Sequence, residues 1–174
     1  MLVVFLGNPG TKYEKTRHNV AFLFANQLSF LNNSLWSKKF HGEHTTAEIN
    51  KINHHFLKPM TFMNLSGKSV VSAMNFFKIG IENVIVVHDD IESSFETVSI
   101  KKGGGLAGHN GLRSIAELSG SKDFLRLRIG IGKPQKGDVS SFVLNKFSSD
   151  EEIVLPLIFD KAEKILEKIL LEHH

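Results

Sequence analysis

The chain has 174 residues, 41% of them hydrophobic, and no cysteine; it suits one globular domain with a sizeable core and excludes disulfides, thiolate chemistry and sulfur-ligated zinc. Its net charge of +3 hides a basic block: residues 101–136 carry eight Lys/Arg against only Glu117 and Asp123, which reads either as a surface for a polyanion or as solvated lysines on several faces. No apolar run approaches the ~20 residues of a membrane span and Leu2 to Leu6 is too short for a signal peptide, so a soluble protein with no membrane partner is expected, in the reducing cytoplasm that a cysteine-free chain fits.

Leu2-Val3-Val4-Phe5-Leu6 reads as a fully buried strand that Gly7-Asn8-Pro9-Gly10 stops abruptly. Asn8 then sits at a strand's C-terminal edge, where open α/β sheets bind ligands, and a polar loop leads to His18 and Asn19 before the next apolar run. The plainer alternative has Asn8 serving its turn and Asn19 capping a helix. Val20 to Leu31 is apolar at nearly every helical position, and residues 32–43 form a polar connection around Trp36. His44 to Asn50 and His54 to Leu57 make two short strands joined by a tight turn at Lys51 to Asn53, with Lys58-Pro59 ending the second. A helix from Leu65 to Ile79 follows, stopped by Gly80.

Asn83 to Asp90 (NVIVVHDD) is a second strand buried on both faces, and it ends in carboxylates. Glu96 to Lys101 alternates as a strand with one wet face, and KKGGGLAGHNG leads into a helix from Leu112 to Leu118. Phe124 to Ile131 alternates strictly, which puts Arg126 and Arg128 on one surface. Ser148 and Glu151 form a capping-box pattern before a last helix, Ile153 to Leu171, bent or broken at Pro156. The order β, α, β, β, α, β, β, α, β, α implies an α/β fold: a single-domain α/β/α sandwich with a twisted mixed β-sheet flanked by helices, spanning residues 1–170. Residues 171–174 (LEHH) resemble the start of a vector-encoded histidine tag, so His173 and His174 belong to no site.

Several motifs fail. Gly67-Lys68-Ser69 matches the end of a phosphate-binding P-loop, but the first glycine of that pattern falls at Phe62. Neither a G-x-S-x-G elbow nor an H-E-x-x-H helix occurs, and His41-x-x-His44 lacks acidic or sulfur partners, so no metal is expected. Gly103-x-Gly105-x-x-Gly108 comes closer to success, since it follows a strand, opens a helix and has Asp123 about 20 residues on, as a dinucleotide fingerprint would. Against it, Lys101 and Lys102 crowd the strand end where an apolar residue normally packs. The helix is also too short to carry the acid to a second strand edge. A non-catalytic RNA-binding module built on the basic block stands as a further alternative.

GNPGTKYEKTRHN, KPMTFMNLSGKSV, VIVVHDDIE, KKGGGLAGHNGLRSI and FLRLRIGIGKP, in this order and spacing, resemble the bacterial peptidyl-tRNA hydrolases from Met1 to about Phe147. The resemblance implies a monomeric, metal-independent, cofactor-free esterase that cleaves peptide from prematurely released peptidyl-tRNA, so that the tRNA is recharged. Hydrolysis of the ester between peptide and terminal ribose needs a water deprotonated as it attacks. His18 is the best general base, because an imidazole pKa of about 6.5 suits neutral pH, and Asp89 at a neighbouring strand end holds its tautomer.

By the same resemblance Asn8, Asn64 and Asn110 line the cleft and hold the water, the peptide carbonyl or the developing oxyanion, with Asn8 grouped with His18 and Asp89 as catalytic. Tyr13 and Phe62 form apolar walls of the substrate site, Met63 packs behind them, and Asn19 and His109 serve either as polar contacts or as helix caps. Lys101 and Arg128 match positions the family uses to clamp a tRNA phosphate, a task to which the planar fork of arginine is suited. Lys102, Arg126 and Lys133 are weaker candidates for a wider RNA surface. Two features depart from the family pattern: Leu106-Ala107 in the glycine-rich lip, and a short, acidic C-terminal region.

Overall fold

The N-terminal apolar run forms β1 (Leu2–Phe5), buried at every position, in a computed structural model that describes all 174 residues. It is the inner strand around which the sheet is laid. The remaining elements are α1 (Val20–Gln27), β2 (Ser37–Lys39), β3 (Gly42–Ile49), β4 (Ile52–Pro59), α2 (Ser66–Phe77), β5 (Val84–Asp90), β6 (Val98–Lys102), α3 (Asn110–Ser119), β7 (Leu125–Gly130), α4 (Val139–Val143) and α5 (Ser149–Glu172). The seven strands form one sheet in the order β2-β3-β4-β1-β5-β7-β6. β4, β1, β5 and β7 pair in parallel, while the β2/β3, β3/β4 and β6/β7 pairs are antiparallel. The sheet is therefore mixed, and its strand order changes direction at β1, the switch point where α/β sheets open a crevice.

Because successive side chains of a strand point to opposite faces, the inner strands feed two cores. Val3, Phe5, Ile85 and Val87 join Leu127 and Ile129 under α1 and α5, where Phe24, Phe159 and Leu166 complete the layer. Leu2, Val4, Val84 and Val86 face the other way, against Val70 and Ala73 of α2 and Leu112 and Ile115 of α3. Each fully buried Leu, Ile, Val or Phe contributes roughly 1.5–3 kcal/mol relative to exposure, so the parallel strands anchor everything hung on their ends. Gly67 lets α2 and α3 approach closely: its N–H donates to Ser114 Oγ at 2.9 Å, and a Cβ there would collide with the Ser114 carbonyl. No helix is long and apolar enough to cross a membrane.

Several local expectations change. The polar connection 32–43 contains β2, whose Ser37, Lys38 and Lys39 are all exposed. An outer strand with no buried face leaves no apolar alternation to read, and its lysines discourage pairing with another chain. The β3/β4 turn sits at Asn50-Lys51, both at positive φ (54° and 64°), and β4 runs on through Pro59, which pairs with Gly42. α2 stops at Lys78 in the left-handed conformation, not at Gly80. Val20 to Leu31 divides into α1 and a separate turn of 3-10 helix at Ser29–Leu31. α5 starts at its capping box, as the Ser148/Glu151 pattern requires, but continues unbroken through Pro156 because Leu155, Ile158, Phe159, Ala162, Leu166 and Leu170 bury its inner face. α4 is absent from the sequence reading, although Asp138 caps it by accepting the Ser141 N–H at 2.7 Å.

Candidate active site

The C-terminal ends of β1, β4 and β5 open into a cavity of about 510 Å³ lined by Asn8, His18, Phe62, Asn64, Asp89 and Asn110 among others. Asn8 follows directly on β1, and its main chain is clamped on both sides. Asn19 Oδ1 accepts the Asn8 N–H and Asn19 Nδ2 donates to the Asn8 carbonyl, both at 2.9 Å. Asn19 makes no capping bond to α1, so its side chain is spent wholly on holding Asn8. The Asn8 Oδ1 accepts the Met63 N–H at 2.8 Å, from the turn after β4. That bond settles which way the carboxamide faces and leaves its NH2 group as the donor available to a bound substrate.

Asp89, near the end of β5, lies between the two helical layers. His18 Nδ1 reaches Asp89 Oδ2 at 2.8 Å from the turn that leads into α1, and His109 Nε2 reaches Asp89 Oδ1 at 2.8 Å from the cap of α3. The His109 tautomer follows from its other nitrogen: Nδ1 accepts the N–H groups of Gly111 at 3.1 Å and Leu112 at 3.3 Å, so the proton is on Nε2 and is donated to Asp89. His109 is thus cap and site residue at once. His18 likewise gives its Nδ1 proton to the carboxylate, which leaves the Nε2 lone pair for a water or substrate proton.

Burial opposes a charge on Asp89, but His18 and His109 outweigh it and hold the carboxyl well below the ordinary carboxylate range. Burial also opposes a charged His18, yet the adjacent Asp89 carboxylate prevails and raises the imidazole above its usual value. His88, one residue earlier on β5, donates Nδ1–H to the Asp89 carbonyl at 2.8 Å and is pushed down to about 4, chiefly by burial, so it is neutral at neutral pH. His18 and His88 therefore shift in opposite directions because the His18 ring bonds the Asp89 carboxylate, which offsets its burial, whereas the His88 ring meets only the Asp89 main-chain carbonyl.

His18, Asp89 and His109 also offer three ligand atoms within 4.8 Å of one another, a grouping able to hold a metal ion. Both ring nitrogens that face Asp89 act as hydrogen-bond donors here, so a metal would have to displace two protons before it could enter. Phe62 is 56% exposed on the rim and Asn64 is exposed beside it, while Asn110 opens α3 and accepts a hydrogen bond from the Arg113 guanidinium. Tyr13 is not among the residues lining the cavity; it lies in a 3-10 turn (Thr11–Tyr13) under the Lys12 ammonium. Val139, Val143 and Leu144, from α4 and the residue after it, supply an apolar wall that sequence reasoning missed; the Asp138 cap was its one readable signal.

On the adjoining edge, Lys101 of β6 and Arg128 of β7 occupy one face as diagonal neighbours, since Lys101 pairs with Arg126 and Ser99 with Arg128. Arg128 is steadied by Ser99 Oγ, which accepts its Nε–H at 3.1 Å, and its NH1 lies 3.8 Å from Asp90 Oδ2. Lys101 is exposed and lies along Gly104, where any side chain would meet its ammonium. Arg126 corrects the wider RNA surface. It is only 2% exposed, and its guanidinium donates to the carbonyls of Gly104, Gly105 and Lys122. It shares a face with Arg128, but the glycine-rich loop folds over it and takes its donors.

A family profile described as Peptidyl-tRNA hydrolase matches residues 2–174. The chain is 47% identical over 172 residues to the peptidyl-tRNA hydrolase of Pelobacter propionicus, covering 97% of this chain and 88% of that one. It is also 47% identical over 172 residues to that of Geotalea daltonii, with 98% and 90% covered. Among solved structures, the peptidyl-tRNA hydrolase of Acinetobacter baumannii is similar with a TM-score of 0.90 and 38% identity, covering 98% of this chain and 88% of that one.

Proposed function

The chain belongs to the peptidyl-tRNA hydrolase family, and from that premise we propose that it hydrolyses the ester between a peptide's C-terminus and the 3′-terminal ribose of tRNA, with His18 as general base. The observation that carries the mechanism is the 2.8 Å bond from His18 Nδ1 to a buried Asp89. It keeps the opposite nitrogen, Nε2, unprotonated and able to take a proton from an attacking water. Asn8, its oxygen held by Met63, offers NH2 to the tetrahedral oxyanion, a role for which one donor is worth about 2.7–4 kcal/mol in other enzymes. Asn64 and Asn110 hold the water or the peptide carbonyl at the scissile bond, Phe62 packs against the substrate, and Tyr13, outside the cavity lining, adds apolar contact beyond it. The domain of residues 1–170 acts as a monomer in the cytoplasm and needs no metal.

The decisive experiment is release of a labelled N-acetyl-aminoacyl group from tRNA, with unblocked aminoacyl-tRNA as control and excess chelator present. Selective cleavage of the blocked substrate at an undiminished rate is expected. Equal cleavage of both, or loss of activity with chelator, contradicts the reading.

Lys101 and Arg128 hold a tRNA phosphate in this account. Lys101→Ala should weaken tRNA binding at low salt and lower the slope of log K against log salt by about 0.7 to 0.9, the loss of one phosphate contact. Turnover at saturating substrate should be retained. Binding curves that match the wild type from low to high salt would remove Lys101 from the clamp.

A further inference from the structure

Arg17 precedes His18 and has no part in the chemistry described above, yet it makes a dense set of contacts. Its NH2 donates to Glu151 Oε1 at 2.9 Å and its NH1 to the Phe142 carbonyl at 3.4 Å, while the guanidinium carbon sits 4.2 Å from the centre of the Phe142 ring. Its main-chain N–H donates to the Asn145 carbonyl at 3.0 Å, and Thr16 forms an isolated antiparallel bridge with Lys146. Glu151 Oε1 also accepts the Ser148 N–H at 2.8 Å in the capping box of α5. One side chain therefore joins three parts: the turn bearing His18, the segment containing α4, and the start of α5.

The segment around α4 needs such a tie. At five residues α4 is too short to be stable by itself, and Val139 and Leu144 remain 43% and 44% exposed, with Val143 its only buried member. Yet Val139, Ser140, Val143 and Leu144 form one wall of the cavity. His18 has separate supports, namely Asp89 through its ring and Asn19 through the clamp on Asn8. The wall and the base are thus held by different contacts.

We propose that Arg17 is a positioning residue that latches the α4 wall against the His18 turn and so sets substrate affinity, leaving the strength of the base to Asp89. The inference rests on the ester-cleaving reading of the cavity. A planar guanidinium is required because two acceptors in different directions and a ring face are engaged together, which an ammonium cannot match.

Arg17→Ala should raise KM for N-acetyl-aminoacyl-tRNA by about tenfold while kcat stays within about twofold and its pH midpoint does not move. Arg17→Lys should fall between. Hydrogen exchange on the substrate-free protein should be faster in Arg17→Ala at the amides of Phe142 and Asn145, which donate to Asp138 and Phe142 in the latched segment. Should Arg17→Ala not fold, Phe142→Leu removes the ring under the guanidinium and should show the same KM-weighted pattern at smaller size. An unchanged KM, a loss confined to kcat, or unaltered exchange in a folded variant would overturn the latch. A wild type that fails to cleave blocked tRNA would instead overturn the ester reading, and the exchange comparison would still judge the latch.

Discussion

His18→Ala is expected to reduce turnover of blocked aminoacyl-tRNA by about 10²- to 10⁴-fold, the range a positioned general base supplies. At 1.36 kcal/mol per factor of ten this corresponds to roughly 3–5 kcal/mol of barrier. Folding should survive, because the turn that carries His18 is fixed by neighbours: Asn19 clamps Asn8 with two 2.9 Å bonds, and the main-chain N–H of Arg17 donates to the Asn145 carbonyl at 3.0 Å. Asp89 keeps the His109 donor at 2.8 Å, so its carboxylate is not left buried and unpaired. Single-turnover kinetics alongside a melting curve separate the two effects. Near-normal turnover by a folded variant would remove His18 from the role of base, whatever the family.

Asp89→Asn should cost about as much, near 10⁴-fold, through a tautomer rather than a missing side chain. An asparagine in this position has one accepting oxygen and one donating NH2, where the carboxylate accepts from both histidines. His109 cannot give way, because its Nδ1 is occupied by the Gly111 and Leu112 N–H groups and its proton is confined to Nε2. It therefore claims the amide oxygen. The NH2 is left to face His18 Nδ1, which forces the His18 proton onto Nε2, the nitrogen that must be bare for catalysis.

The pH dependence supplies a second, independent sign. In the wild type His18 is raised above 6.5, burial lowering it and the Asp89 charge more than compensating, so kcat/KM should climb with pH through a midpoint above 6.5. Without that charge burial acts alone, and the His18 midpoint in Asp89→Asn should drop below 6.5. Nitrogen NMR of the imidazoles reads both tautomer and midpoint. A His18 that still carries its proton on Nδ1 in the variant, or a midpoint that stays put, would refute the mechanism for Asp89.

The sequence was most informative wherever a side-chain pattern repeats within one element. NVIVVHDD and the N-terminal apolar run announce inner parallel strands, since only a strand covered on both sides tolerates such continuity, and their ends then locate Asn8 and Asp89. The Ser148/Glu151 box announces the start of α5 for an equally local reason. Where an element is held by partners instead of its own pattern, the reading fails: β2 exists because β3 pairs with it, and α4 is held by Arg17, which donates to the carbonyl of its Phe142.

The site divides along the same line. Residue types and spacing by themselves put Asn8 and the Asp89-Asp90 carboxylates at strand ends with His18 on the loop after Asn8, the family resemblance added Asn64 and Asn110, and alternation determined that Arg126 and Arg128 share a face. Only the tertiary structure decided which nitrogen of His109 holds its proton, that Asn19 clamps Asn8 rather than capping α1, and that Arg126 is buried while Arg128 stays partly open. Each of these depends on hydrogen bonds between segments far apart in the chain. Sequence periodicity records which way a side chain points from its own backbone, and is silent about the backbone that arrives from elsewhere to meet it.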